Sequence, residues 1–190
     1  MTTAGGDRAD GTDGEGLLAA HLERIRQAPA DHGTVELLVR RPAVDEREVL
    51  DEAQLDVASG LVGDSWSTRT STRRPEGPDP DRQLTLVSAR VMELLAGPRD
   101  RWPEAGDQLY VDLDLSEANL PPGSRLAIGD ALIEITAQPH RGCAKFSRRF
   151  GPDAVRLVNS PIGCELRLRG VNARVVRGGA IRRGDTISKA

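Results

Sequence analysis

The sequence is poor in aromatic residues, in cysteine and in long apolar runs. Aromatic residues make up 3% of the 190 residues, so the core must consist mainly of Leu, Val, Ile and Ala. A hydrophobic content of 38% is enough for such a core. Two cysteines exclude a disulfide scaffold. No apolar run approaches the ~20 residues of a membrane span, and the N-terminal residues lack the hydrophobic segment of a secretory signal. We therefore predict a soluble, cytoplasmic protein with reduced thiols.

The common catalytic and binding motifs are also missing from the sequence. It contains no CxxC, HExxH, GxSxG, P-loop or GxGxxG pattern. These absences remove the usual ligand set of a zinc site and the signatures of α/β-hydrolases and nucleotide-binding domains. His21 and His32 lie in the N-terminal segment, which leaves His140 as the one histidine in the region of β-strand patterns.

Positive charge is concentrated in the C-terminal third of the chain. From Gln138 onward there are 12 Lys and Arg against 3 Asp and Glu, although the whole chain has a net charge of −3. This distribution favours an anionic partner, but arginines on the solvent face of strands would give the same count. Nucleic acid is an unfavourable partner, because one Tyr and two Phe offer few surfaces on which bases can stack.

The pattern of apolar residues divides the chain into three parts. Residues 1–16 are rich in Gly and Asp and are predicted to be a disordered tail. Residues 17–33 are predicted to form a helix, over 17–28, and a linker. Residues 34–190 form the main domain, in which nearly all signals are those of β-strands.

The main domain is predicted to be mainly β, a closed or nearly closed β-barrel with a few short peripheral helices. Helices are predicted after Ser88 and around residues 153–158, and a mobile loop at 70–82. Strands are predicted at 34–42, 83–87, 106–115, 124–136 as a hairpin around Gly129-Asp130, 166–176 and near residue 187.

The stretch "QPHRGCAKFSRRFG" at residues 138–151 contains a cysteine among basic residues. His140, Arg141 and Lys145 lie within three positions of Cys143. Cationic neighbours lower the pKa of a thiol, and the thiolate is the form that attacks or binds metal. The alternative is an inert, buried cysteine, which is common and which the local sequence alone favours. Cys164 has apolar neighbours and is interpreted as a packing residue rather than a redox partner of Cys143.

Four segments in order resemble the MOSC family, the molybdenum-cofactor sulfurase C-terminal domain. They are "GLVGDSW" (60–66), "GDQLYVDLDLSEANLPPGSRLAIGDALIEIT" (106–136), "PHRGCAKF" (139–146) and "RLRGVNARVVRGGAIRRGD" (167–185). The resemblance extends over the chain after the tail. "GDQL" departs from the G-E-N-L of many relatives, and residues 70–82 show little of the family pattern.

The resemblance implies a MOSC-type barrel that presents Cys143 to a molybdenum cofactor or to a sulfur atom, as the catalytic residue and the metal ligand. It also implies basic and amide residues that contact the pterin and its phosphate: His140, Arg141, Lys145, Asn172 and Arg174.

Two functions follow from the resemblance. The first is reduction of N-hydroxylated small molecules with electrons from separate donor proteins. The second is a non-catalytic carrier that holds the cofactor, or a persulfide on Cys143 supplied by a cysteine desulfurase. Pyridoxal phosphate is not expected to bind, because the chain carries no desulfurase domain.

Overall fold

The computed structural model describes residues 11–68 and 77–190, and this part of the chain forms eleven strands and four α-helices. The helices are α1 Gly11–Arg26, α2 Ala89–Leu95, α3 Ala144–Asn159 and α4 Pro161–Glu165. The strands are β1 Gly33–Arg40, β2 Glu48–Leu50, β3 Glu52–Asp56, β4 Gly60–Leu61, β5 Leu84–Ser88, β6 Leu109–Asp112, β7 Arg125–Ile128, β8 Ala131–Ile135, β9 Val171–Arg177, β10 Gly179–Arg182 and β11 Thr186–Lys189.

Seven of the described strands close into a barrel in the order β11-β7-β8-β9-β5-β6-β1, and β11 pairs with β1 to complete the ring. β5 and β6 are parallel, and the other neighbours in the ring are antiparallel. β2 extends the sheet beyond β1, and β10, β3 and β4 form a second, three-stranded sheet. The closed β-barrel with short peripheral helices is therefore confirmed.

The core has two parts, one inside the barrel and one between the barrel and the helices. The inner cluster is aliphatic and includes Leu38, Leu86 and Ile133. The outer cluster contains four of the five aromatic residues, with Trp102 and Tyr110 stacked at a centroid distance of 6.1 Å. Aliphatic side chains fill the narrow interior, and the larger rings pack between barrel and helices, where layers of side chains interdigitate.

Several predicted boundaries were wrong. α1 begins at Gly11, inside the predicted disordered tail, because extending an existing helix costs little once its buried face has formed. The predicted helix at 153–158 is part of the longer α3, which is interrupted at Gly151. Residues 166–170 alternate in polarity but form a turn before β9.

Some sequence predictions lie outside the described residues. Residues 1–10 of the predicted tail and 70–76 of the predicted loop are among these. Within 11–68 and 77–190, no helix is long and apolar enough to cross a membrane.

Gly170 allows a close approach between the turn before β9 and strand β5. Its φ is +95°, and a Cβ atom there would lie 2.0 Å from the carbonyl oxygen of Leu86. Leu86 pairs with Val171, so any displacement would disturb the β5–β9 ladder. The position therefore requires glycine both for its backbone conformation and for space.

We expect Gly170→Ala to destabilise the fold more than Gly184→Ala does. Gly184 has a similar φ of +91°, but nothing lies within 4 Å of the place that an added Cβ would take, so this variant isolates the backbone cost. That cost is about 1–2 kcal/mol. Gly170→Ala should add a further ~1–3 kcal/mol from steric overlap. Urea unfolding measures both losses, and equal losses would show that the contact with Leu86 is unimportant.

Candidate functional site

Cys143 lies at the N-terminal end of α3, where it is the N-cap residue and is exposed. Partial burial alone would raise the pKa of the Cys143 thiol. The N–H groups of Phe146 and Lys145 and the positive charge of Arg169 outweigh burial, so the pKa lies below its usual value. An exposed thiol with a lowered pKa is more easily deprotonated, and the thiolate is the form that attacks or binds metal.

The loop before Cys143 is fixed by the side chain of Asn159 at the end of α3. The Asn159 carboxamide oxygen accepts a hydrogen bond from the Gly142 N–H at 3.0 Å, and its nitrogen donates to the Gly142 carbonyl at 3.1 Å. A Cβ at Gly142 would lie 2.8 Å from Val158 Cγ2. A side chain at position 142 would therefore collide with the C-terminal end of α3.

A buried ion pair between Arg169 and Asp107 lies beneath this loop. Arg169 is 7% exposed and Asp107 is 0% exposed. The guanidinium donates to Asp107 Oδ2 at 2.6 Å and to the Ala105 carbonyl at 3.1 Å. Its Cζ lies 4.7 Å from the centre of the Phe146 ring, in a cation–π contact. Arg169 thereby connects the turn before β9 to the start of β6 and to the first turn of α3.

A second buried pair positions the backbone beside Asp107. Arg41 donates to both oxygens of Asp64 at 2.8 and 2.9 Å, and its third guanidinium contact is the Gly106 carbonyl at 2.9 Å. Asp64 also accepts the N–H groups of Arg41 and Trp66. These bonds satisfy the buried charges, which would otherwise be costly.

In "GDQL", which departs from the G-E-N-L of many relatives, Gln108 lies in the barrel wall. Gln108 is 0% exposed, and its side-chain oxygen accepts from the N–H and the hydroxyl of Thr85, both at 2.8 Å. Its side-chain nitrogen donates to the Gln83 carbonyl at 3.2 Å. Gln108 therefore joins β5 to β6 and is a structural residue, whereas its neighbour Asp107 faces the candidate site.

His140 lies on the other side of Asp107 and is not a cationic neighbour of Cys143. Burial lowers the pKa of His140 to about 3, and the charge of Arg169 lowers it further, against the opposing effect of Asp107. The imidazole is therefore neutral near pH 7. The positive charge that acts on Cys143 comes from Arg169, which has no place in the predicted basic cluster.

A cavity of about 170 Å³ opens beside this group. His140, Arg141, Cys164, Arg167 and Glu117 contribute to its lining. Cys143 is not among the described residues that line it. Its walls carry imidazole, guanidinium, thiol and carboxyl groups, so the cavity is built for a polar ligand.

Cys164 is part of the cavity wall rather than only a packing residue. Arg141 Nη1 lies 2.7 Å from Cys164 Sγ, and the thiol is 3.6 Å from the Asn159 carbonyl oxygen. The Asn159 side chain also bonds to Gly142, the residue before Cys143. Asn159 therefore links the Cys164 thiol to the loop that carries Cys143. The apolar residues beside Cys164 in the sequence carry no sign of this position.

The other predicted site residues, Lys145, Asn172 and Arg174, are not among the described residues that line the cavity. Lys145 is exposed beside Cys143 and has no ion-pair partner within residues 11–68 and 77–190. Asn172 is 3% exposed and donates to the Gln138 carbonyl at 3.0 Å, so it supports the cavity wall. Arg174 forms ion pairs with Glu134 and Asp81 on the barrel surface.

The residues present fit a cofactor that brings its own metal ligands. In the described part of the chain, no three His, Cys, Asp or Glu side chains are grouped to hold a metal ion. One exposed cysteine with a lowered pKa is available, and soft metals bind thiolate. Three buried polar atoms near the cavity, His140 Nδ1, Asp107 Oδ1 and Arg169 Nε, make no hydrogen bond within those residues, and the first two face each other.

Sequence reasoning missed Asp107, Arg169, Arg41 and Asp64. Asp64, Asp107 and Arg169 lie in the "GLVGDSW", "GDQL" and "RLRG" segments, and the fold brings these segments to one place. The signal was present as charged residues beside glycines in three of the quoted motifs. Only the positions of the strands show that these charges are buried.

The closed barrel with short peripheral helices relates the chain to a known family of proteins. The family model of the MOSC domain matches residues 77–188, more than half of the chain, and the protein belongs to this family. The "GLVGDSW" segment, part of the predicted resemblance, lies outside the matched residues.

Solved structures show the same fold at low sequence identity. The YuaD protein from Bacillus subtilis is similar with a TM-score of 0.54 and 19% identity, covering 82% of this chain and 93% of that one. YiiM from Escherichia coli is similar with a TM-score of 0.55 and 22% identity, covering 83% and 69%. A search of curated proteins finds no match.

We expect Arg169→Met to destabilise the protein by about 3–5 kcal/mol, because it leaves the Asp107 carboxylate buried without its partner. Arg174→Met is the matched control, since it removes surface ion pairs from a side chain that is 48% exposed. It should cost at most about 1 kcal/mol. Denaturant unfolding compares the two, and similar losses would contradict the importance assigned to the buried pair.

We expect alkylation of Cys143 by iodoacetamide to rise with pH around a midpoint below the usual pKa of a cysteine thiol. The thiolate is the reactive form, so the rate follows the fraction deprotonated. Cys164→Ser provides a background with one thiol. In that background Arg169→Met should raise the midpoint and Arg174→Met should not. A midpoint at or above the usual value would contradict the lowered pKa.

Proposed function

We propose that this protein binds the molybdenum cofactor and that the Cys143 thiolate is its protein ligand to the metal. The observation that carries the proposal is an exposed cysteine whose pKa is lowered and whose loop adjoins a polar cavity. Membership of the MOSC family supports the same assignment. A thiophilic metal prefers such a ligand, and groups around it orient the sulfur.

The chain's own residues divide the work of holding the cofactor. Arg141 and Lys145 are exposed on either side of Cys143 and supply positive charge for the anionic phosphate. The cavity beside them supplies polar groups for the pterin, and Asn172 keeps its wall in place through Gln138. Arg174 has a smaller part in this proposal, because its guanidinium is already paired with Glu134 and Asp81.

The reaction we propose is reduction of an N-hydroxylated small molecule. The balance is R–NH–OH plus two electrons and two protons, giving R–NH2 and water. When bound, the molybdenum centre supplies the exchange of two electrons. The sequence has only Cys143 and Cys164, too few for an iron–sulfur cluster held by four cysteines, so we propose a separate electron-donor protein. Cytoplasmic location stays a prediction.

A second candidate function is transfer of a sulfur atom carried as a persulfide on Cys143. It is favoured by the position of the thiol, which is exposed and is not among the described residues that line the cavity. A cysteine desulfurase can reach such a thiol directly, and the lowered pKa favours attack on the donor sulfur.

We expect molybdenum and protein to copurify in a nearly fixed ratio after expression in a host that makes the cofactor. Cys143→Ser should lose most of the metal, because an alcohol is a much poorer ligand for it than a thiolate. Elemental analysis measures metal per chain, and thermal unfolding checks that the variant is folded.

Cys164→Ser is the discriminating arm of the same experiment. Loss of molybdenum from Cys164→Ser but not from Cys143→Ser would overturn the assignment. Wild-type protein that carries no molybdenum would also overturn it. Intact-mass measurement of the same samples distinguishes the two functions. An extra sulfur atom on Cys143 in metal-free protein, formed only with a desulfurase present, favours the carrier.

A further inference from the structure

Asp107, His140 and Arg169 form a buried polar group whose hydrogen bonds are incomplete. Arg169 occupies Oδ2 of Asp107 at 2.6 Å. The other carboxylate oxygen, Oδ1, faces His140 Nδ1 at 3.7 Å, slightly longer than a hydrogen bond. Both of these atoms are buried and make no hydrogen bond with any residue in 11–68 or 77–190. Two facing, buried polar atoms without other partners require an explanation.

The two nitrogens of the His140 ring are in different surroundings. Nδ1 is buried against Asp107, whereas Nε2 is not among the buried atoms without a partner and takes part in no described hydrogen bond. Nε2 is therefore accessible. Since His140 lines the cavity, this is the nitrogen available to a molecule inside it.

The carboxylate decides which nitrogen carries the proton. A carboxylate oxygen can only accept, so Asp107 Oδ1 is satisfied when Nδ1 bears the hydrogen. A small rotation of the imidazole closes the 3.7 Å gap to a hydrogen bond. A neutral ring has one proton, so Nε2 is then left with a lone pair. The low pKa of His140 agrees with a neutral ring.

We propose that Asp107 is a positioning residue that holds His140 as the Nδ1–H tautomer, so that Nε2 is a hydrogen-bond acceptor for an N–H or O–H group of the cavity's ligand. The cavity then selects a ligand with a donor at this place, beside the basic groups of Arg141 and Arg167 that select an acceptor or an anion. The identity of the ligand as a pterin rests on the proposed function, but the tautomer does not.

Replacing Asp107 by asparagine should reverse the tautomer. Arg169 has only donors, so it requires the amide oxygen at the place of Oδ2. The amide nitrogen then occupies the place of Oδ1 and faces His140 Nδ1. Because this nitrogen can only donate, Nδ1 must accept and the ring proton moves to Nε2. The acceptor in the cavity becomes a donor without any change in the shape of the site.

The experiment is ¹⁵N NMR of the ring nitrogens in the purified full chain without cofactor, with His140→Gln used to assign the signals of the three histidines. Wild-type protein should show a protonated Nδ1 and an unprotonated Nε2 for His140. Asp107→Asn should exchange the two signals. Asp112→Asn is the matched control, because Asp112 also pairs with an arginine, Arg90, and does not face His140. It should leave the signals unchanged.

A second readout tests the use of the acceptor by the ligand. In protein from a cofactor-making host, Asp107→Asn should lower the pterin content about tenfold, as expected for one lost hydrogen bond, while Asp112→Asn should not. Unchanged pterin content would overturn the role of Nε2 in ligand selection.

The outcomes separate this inference from the proposed function. A wild-type ring protonated on Nε2 would overturn the inference even if Asp107→Asn fails to fold, and so would unchanged signals in a folded Asp107→Asn variant. Wild-type protein that never carries a pterin would overturn the proposed function while the tautomer and its reversal still stand.

Discussion

The Arg169–Asp107 ion pair is the contact on which the candidate site depends. It connects three pieces of chain that are far apart in sequence, the start of β6, the first turn of α3 and the turn before β9. A buried carboxylate and guanidinium are tolerated only with good geometry and further hydrogen bonds. The contacts to the Ala105 carbonyl and to Phe146 provide them, so the pair specifies how the barrel and the helix layer fit together.

This one pair also contributes to the electrostatics on both of its sides. The charge of Arg169 lowers the pKa of Cys143 on the exposed side and of His140 on the cavity side. The two effects have opposite consequences for the charge of the group. The cysteine is moved toward its charged form, and the histidine is kept neutral. Arg169 thus adds to the backbone N–H groups that lower the pKa of Cys143 and to the burial that lowers the pKa of His140, so it favours a thiolate on one side and an uncharged imidazole on the other.

The sequence allowed the barrel to be predicted and Cys143 to be named as a candidate, but it did not indicate the buried group beneath them. Short alternating strands with glycine turns indicate a closed β fold whatever the exact boundaries. Charged residues, by contrast, are normally exposed, so Asp107 and Arg169 resemble solvent-facing residues until their depth is known. "LRLR" at 166–169 has the alternation of a strand, yet it forms the turn that places Arg169.

The local sequence was also an unreliable guide to charge. His140 next to Arg141 suggested a cluster of cations around Cys143, whereas burial of the imidazole makes it neutral. The pKa of a group depends on how much water surrounds it and on the charges that face it in space. Sequence neighbours report neither of these, and this explains why the charge that lowers the pKa of Cys143 could not be predicted from them.

Closure of the barrel by β1 and β11 has a consequence for the order of events in folding. The pairs Gly33–Ile187 and Thr34–Thr186 join positions more than 150 residues apart. Contacts of such long range form slowly, because a large loop must be ordered before they contribute any free energy. We therefore expect the ring to be completed late in folding, after strands near the middle of the chain have paired, so that β1 and β11 are the last strands of the barrel to find each other.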